Sequence, residues 1–173
     1  DLEFSKSSYW FWDYTSSYGT GYGCSVFSNW YAPPGTIQSL VTLTFSKSIP
    51  GDSLSFDNAY APNLKGTDSL IIESSTNEGI TYTTLVSLWG NAKGGPLVTA
   101  PAVDYEYYPD YYDWTTQKYP LPIGTDKIKF RAVSDAGNDL FLDSIIIVNN
   151  SVKPFNITVI PEGLYNLSTN RLN

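Results

Sequence analysis

Asp68-Ser69-Leu70-Ile71-Ile72-Glu73-Ser74-Ser75-Thr76-Asn77-Glu78-Gly79-Ile80-Thr81-Tyr82-Thr83-Thr84-Leu85-Val86-Ser87-Leu88 reads as two strands and a turn. The flanks, Asp68 to Ser75 and Thr81 to Leu88, are rich in β-branched and aliphatic residues. Between them Asn77 and Gly79 supply the positive φ angles that a hairpin loop requires. A second pair is expected nearer the end. Lys127 to Ser134 sends Ile128, Phe130 and Ala132 inward and Lys127, Lys129 and Arg131 outward, and Asp135-Ala136-Gly137-Asn138 turns it into Leu140 to Val148, a second hairpin. Upstream, Ser39 to Ser46 alternates between Leu40, Thr42, Thr44 and Val41, Leu43, Phe45, then stops at Ile49-Pro50-Gly51-Asp52. Asp52 to Tyr60 resumes with Leu54, Phe56 and Asn58 against Ser53, Ser55 and Asp57, which implies one wet face. Apolar residues recur at spacing two, and Gly, Pro, Asn or Asp interrupts about every ten residues. The expected fold class is all-β, a two-sheet antiparallel β-sandwich.

At 173 residues the chain is sized for one domain with short extensions. The sandwich is expected over 1–148. Residues 149–173 then form a linker (Asn149 to Pro154), one more alternating strand (Phe155 to Ile160) and a polar end, the start of a following module or a docking tail. The absence of Met points to a processed product or an excised piece. No run of about 18 apolar residues is present, so no membrane span is expected.

Ten basic residues against seventeen acidic ones give a charge of -7, which argues against a nucleic-acid partner, because phosphate binders concentrate positive charge. The lack of His removes the commonest general base and the commonest transition-metal ligand. Cys24, with no Lys or Arg beside it in Gly21-Tyr22-Gly23-Cys24-Ser25, reads as a small core residue. Charged residues make up 16%, below the roughly 25% of an ordinary domain, and Tyr, Thr, Ser, Asn and Gly take their place. Such a surface suits an exported protein, so a secreted or cell-surface location is expected.

The stretch Leu54 to Tyr60, the hairpin Asp68 to Tyr82 and the closing run Lys127 to Ile145 with its Gly137-Asn138 and Leu142-Asp143 steps together resemble one group of jelly rolls. It is the MAM-like, choice-of-anchor J and cleaved-adhesin group of secreted bacterial surface proteins, commonly exported by the type IX system. The resemblance covers Leu40 to Val148 and implies structural calcium. Asp143 interrupts the apolar stretch Phe141 to Ile147, so its carboxylate must be paired, hydrogen-bonded, metal-bound or turned to water. The resemblance favours calcium there, with Asp57, Asn58, Asp68 and Glu3 as candidate co-ligands.

Val103 to Trp114 packs six aromatics and four acids into twelve residues, too dense in Tyr for a core strand. It is expected as a surface loop in which Tyr105, Tyr107, Tyr108, Tyr111, Tyr112 and Trp114 stack on sugar rings or on a protein partner, or else as a lid packed on the sandwich. Tyr9 to Tyr14 with Trp30-Tyr31 is a second aromatic run, expected to plug the core because the rest of the chain has few large apolar residues, with a second ligand platform as the alternative. Carboxylates for glycoside cleavage exist at Asp104, Glu106, Asp110 and Asp113, but acidity alone is a weak sign of catalysis. The expected function is a non-catalytic extracellular binding module for a polysaccharide, surface glycan or protein, without membrane span. The alternative is a structural subunit that self-assembles by strand exchange through its tail.

Overall fold

The computed structural model describes residues 8–19, 21, 23–149, 155–157 and 159–161. Eleven strands lie among them: β1 (Trp10–Asp13), β2 (Cys24–Phe27), β3 (Ile37–Thr42), β4 (Ser53–Tyr60), β5 (Asp68–Ser75), β6 (Thr83–Gly90), β7 (Thr115–Pro120), β8 (Lys127–Val133), β9 (Leu140–Val148), β10 (Phe155–Asn156) and β11 (Val159–Pro161). One sheet runs β1-β2-β9-β4-β7, with β10 also on β9, and the other runs β11-β3-β8-β5-β6. Every ladder is antiparallel. Up to β9, β1 to β2 and β5 to β6 are the consecutive pairs that share a sheet; every other connection crosses over, giving a two-sheet sandwich of jelly-roll type.

The β5–β6 hairpin forms as the sequence implies, with Asp68 opposite Gly90 and Ser74 opposite Thr83. Positive φ falls on Glu78 (62°) and Gly79 (88°). Asn77 acts through its side chain instead, its Oδ1 accepting from the Thr81 amide at 3.0 Å. The second expected hairpin is not one. β8 lies between β3 and β5 in one sheet, whereas β9 lies between β2 and β4 in the other. The turn between them is redirected by Asp68, whose Oδ1 accepts from Asp135 N at 2.8 Å and whose Oδ2 accepts from Asn138 N at 3.1 Å. Tyr60 donates its hydroxyl to the same carboxylate. A Cβ on Gly137 would sit 1.3 Å from Asp68 Oδ2, so the turn needs glycine for this approach.

β3 ends at Thr42, short of the expected Ser46, because the Thr42 hydroxyl replaces the main chain as acceptor for Ile128 N (3.0 Å). All eight residues of β4 are buried, which overturns the wet face expected for Ser53, Ser55 and Asp57. A middle strand flanked by β9 and β7 has no free edge, and part of its outer face is covered as well. The core between the sheets gathers Trp10, Phe27, Leu54, Phe56, Leu70, Ile72, Phe130, Leu142 and Ile147, with Phe56 edge-on to Phe130 at 5.4 Å. The stretch assigned to the linker and tail adds to both sheets: β10 pairs with β9, and β11 pairs with β3. Residues beyond Pro161 lie outside the described ones. Among the described residues no helix is long and apolar enough to cross a membrane.

Candidate binding surface

The chain between β6 and β7, residues 91–114, crosses from one sheet onto the outer face of the other. Successive hydrogen bonds pin it down. Asn58 Nδ2 donates to the Leu97 carbonyl at 3.0 Å, Thr99 N donates to the Tyr60 carbonyl at 2.9 Å, and Val103 N donates to that of Pro62 at 3.0 Å. Asn138 then holds both sides of the next turn, accepting from Tyr107 N at 2.9 Å and donating to the Tyr105 carbonyl at 2.9 Å. Beyond Pro109 the short turn Tyr111–Asp113 is closed by a capping box: Asp110 accepts from Tyr112 N at 3.0 Å, and Asp113 accepts from Asp110 N at 3.1 Å.

Beneath this lid lies a second apolar cluster of Cys24, Val26, Ala59, Ala61, Ala100, Tyr107, Trp114 and Phe141. The aromatic stretch therefore divides. Tyr107 and Trp114 are each 5% exposed and stand edge-on to Phe141 at 5.9 and 6.4 Å. They are anchors and not stacking platforms, because their faces are already spent on the sheet. Burial also raises the Tyr107 hydroxyl, with the Asp113 charge as the next cause. Tyr105, Tyr108, Tyr111 and Tyr112 are displayed, Tyr112 at 88% exposure. Ala59 and Ala61 are the signal that locates the anchors: two small apolar residues, spaced by two, at the end of β4 and just beyond it, packed in the cluster under the lid while Phe56 and Tyr60 enter the core between the sheets.

Other rings join the display. Tyr18 is 40% exposed, stands 5.8 Å from Tyr111 and donates its hydroxyl to the Trp114 carbonyl at 3.1 Å. Tyr31 donates to Glu106 Oε2 at 2.8 Å, and that bond raises the phenol from its ordinary range. The N-terminal run divides: Trp10 enters the core 5.2 Å from Phe27, whereas Phe11, Trp12 and Tyr14 face solvent.

Among the described residues, the carboxylates and the amide that the resemblance suggests for calcium are engaged with protein donors and acceptors. Asp57 and Asp143 are opposite one another across β4 and β9, but Asp57 Oδ1 is taken by the Thr116 hydroxyl at 2.6 Å. Asp143 accepts from Ser17 N and Ser144 N, both at 2.6 Å. Asn58 is committed to Leu97 and to Gln117 Nε2 (3.1 Å), and Asp68 lies in the other sheet with three donors on it. Glu3 lies outside the described residues. Among the described residues no group of three or more His, Cys, Asp or Glu is placed to hold a metal ion.

Cys24 sits at the inner wall of a cleft of about 140 Å³ lined by Trp12, Asp143, Ser144, Ile157 and Val159. Burial raises its thiol, and the Asp13 and Asp143 charges add to the effect. A maleimide should therefore label it at a negligible rate in the folded protein and readily in denaturant. Fast labelling of the native chain would contradict this placement.

The fold and surface together define a class: a two-sheet jelly roll whose outer face carries a tyrosine-rich lid. In solved structures the chain is similar to the K3 cleaved adhesin domain of Lys-gingipain from Porphyromonas gingivalis W83. That likeness has 19% identity and a TM-score of 0.51 over 73% of this chain and 74% of that one. The K1 cleaved adhesin domain of the same protein matches at 16% identity and a TM-score of 0.49, over 74% of this chain and 75% of that one. No family model and no curated protein matches the chain.

Proposed function

We propose that the chain is a non-catalytic extracellular binding module that takes a glycan on the rings its lid displays. The observation that carries this reading is the division within the lid: two rings nail it to Phe141 while Tyr111 and Tyr112 are held out on a capped turn. A solvent-facing ring costs order without gaining burial, so several on one rigid turn call for a ligand surface. Adhesion is what its structural neighbour's name states of that domain. The sparse charge supports an extracellular setting. Of the four carboxylates suited to glycoside cleavage, three are otherwise engaged, Asp110 and Asp113 on the lid backbone and Glu106 on Tyr31. Pairing of β10 and β11 with the chain's own sheets favours a binding module over strand exchange.

A glycan array should return ligands whose affinity falls about tenfold in Tyr111→Ala, the equivalent of about 1.4 kcal/mol, with an unchanged melting temperature. Trp114→Ala should instead cost about 3–5 kcal/mol of stability, as loss of a buried aromatic does. Equal binding by wild type and Tyr111→Ala would retire the lid as the site.

A further inference from the structure

Asp143 has no part in the reading above, although it is the carboxylate set into the apolar run of β9. Its bond to Ser17 N joins positions 126 apart and fastens the short turn Ser17–Gly19 to the sheet, with the Ser17 and Ser144 hydroxyls 3.1 Å apart. The next residue, Tyr18, is bent into the left-handed region at φ 49°. A residue other than glycine stays there only where its surroundings over-determine it. Here they do so from both sides, Asp143 holding Ser17 and the Trp114 carbonyl holding the Tyr18 hydroxyl. The ring is thereby set at 74° to Tyr111, which is itself 5.2 Å from Tyr112 at 78°.

We propose that Tyr18 completes the binding site with Tyr111 and Tyr112, that Asp143 positions it, and that the ligand is a single soluble chain of uncharged sugars. This rests on the reading that the lid binds a glycan. Rings set on edge to one another make a folded corner, not a flat strip. A crystalline polysaccharide face meets such a corner one ring at a time, whereas a flexible chain can turn a sugar face to each. Because Asp110 and Asp113 are spent on the lid's own backbone and the Tyr18 hydroxyl on Trp114, the corner offers three ring faces and the phenol tips of Tyr111 and Tyr112, which suit hydroxyls and not a charged group.

The test is calorimetric titration of neutral gluco-, manno-, galacto- and xylo-hexasaccharides, beside pull-down on microcrystalline cellulose. At least one hexasaccharide should bind, and cellulose should retain little protein. Tyr18→Ala should weaken binding about tenfold, and Tyr18→Phe, which keeps the ring, should recover most of that. Asp143→Ala should weaken binding to a similar degree and abolish the ligand-induced shift of the Tyr18 ring resonances, while Asp143→Asn, which keeps an acceptor for Ser17, restores both. Should Asp143→Ala fail to fold, Asp143→Asn and Tyr18→Ala still decide. Loss of binding in Tyr111→Ala but not in Tyr18→Ala overturns this inference and leaves the lid reading standing. Absence of binding to every hexasaccharide, with a charged or crystalline glycan bound instead, overturns this inference alone, whereas indifference to Tyr111→Ala overturns both. A calcium-induced rise in melting temperature seen in wild type and absent from Asp143→Asn overturns the positioning role.

Discussion

Asp68→Ala should lower the melting temperature by about 10–15 °C, among the largest effects of any single substitution in this chain. The carboxylate is 3% exposed and receives Tyr60 Oη, Asp135 N and Asn138 N. Removing it leaves three donors without a partner, and each buried unpaired group costs about 1–3 kcal/mol. About 4 kcal/mol is the expected sum, at roughly 2–4 °C per kcal/mol for a domain of this size. Gly137→Ala should approach it by the opposite route, driving a methyl into the same oxygen. Thermal unfolding followed by circular dichroism decides the matter. A shift below about 3 °C in Asp68→Ala would show that the turn is held by something else.

A second large effect is expected at Asp139, which is 1% exposed and pushed up to about 7 by burial, with Glu106 adding to it against the hydrogen bonds from Trp30 N and Asn29 N. The folded protein therefore holds this proton more tightly than the unfolded chain does, so Asp139 favours folding most at acid pH. That advantage is lost as pH rises from about 4 to about 7. With about three pH units between the two states at 1.36 kcal/mol each, the loss is on the order of 3–4 kcal/mol. Asp139→Asn keeps an acceptor for Trp30 N without the charge. It should match wild type near pH 4 and exceed it by a few kcal/mol at pH 8 in urea titrations. Parallel stability curves for the two proteins across that range would remove Asp139 as the titrating group.

Local chemistry carried the sequence reading as far as local chemistry acts. The β5–β6 hairpin was legible because alternation and a glycine loop fall within one stretch, and β8 because Lys129 and Arg131 mark its outer face, although Lys127 at its start is buried. Asp135 to Asn138 carries the same turn residues as a hairpin, yet it feeds the opposite sheet because a carboxylate 67 and 70 positions away claims its amides. Nothing near the turn reports that. The site divides in the same way. The density of Tyr announced an unusual loop, but Tyr107 and Tyr108 are adjacent and alike in type, and only the room made by Ala59 and Ala61 decides which is buried. Tyr18 was invisible as a partner because its link to the lid runs through Asp143 and Trp114, both remote in sequence.

The order of strands also sets when this molecule can fold. β9 stands between β2 and β4, and β8 between β3 and β5, so the middle of each sheet is supplied by residues near the end of the sandwich. A chain emerging from a ribosome has the β1–β2 and β5–β6 hairpins and the β4–β7 pair first, and lacks the two middle strands that join them into sheets. Nonlocal pairing of this kind makes folding slow. A polypeptide stopped before Leu140 would remain open along the centre of one sheet, whereas one that reaches Val148 can close both. The architecture thus leaves both sheets without their centres until the last two long strands are in place.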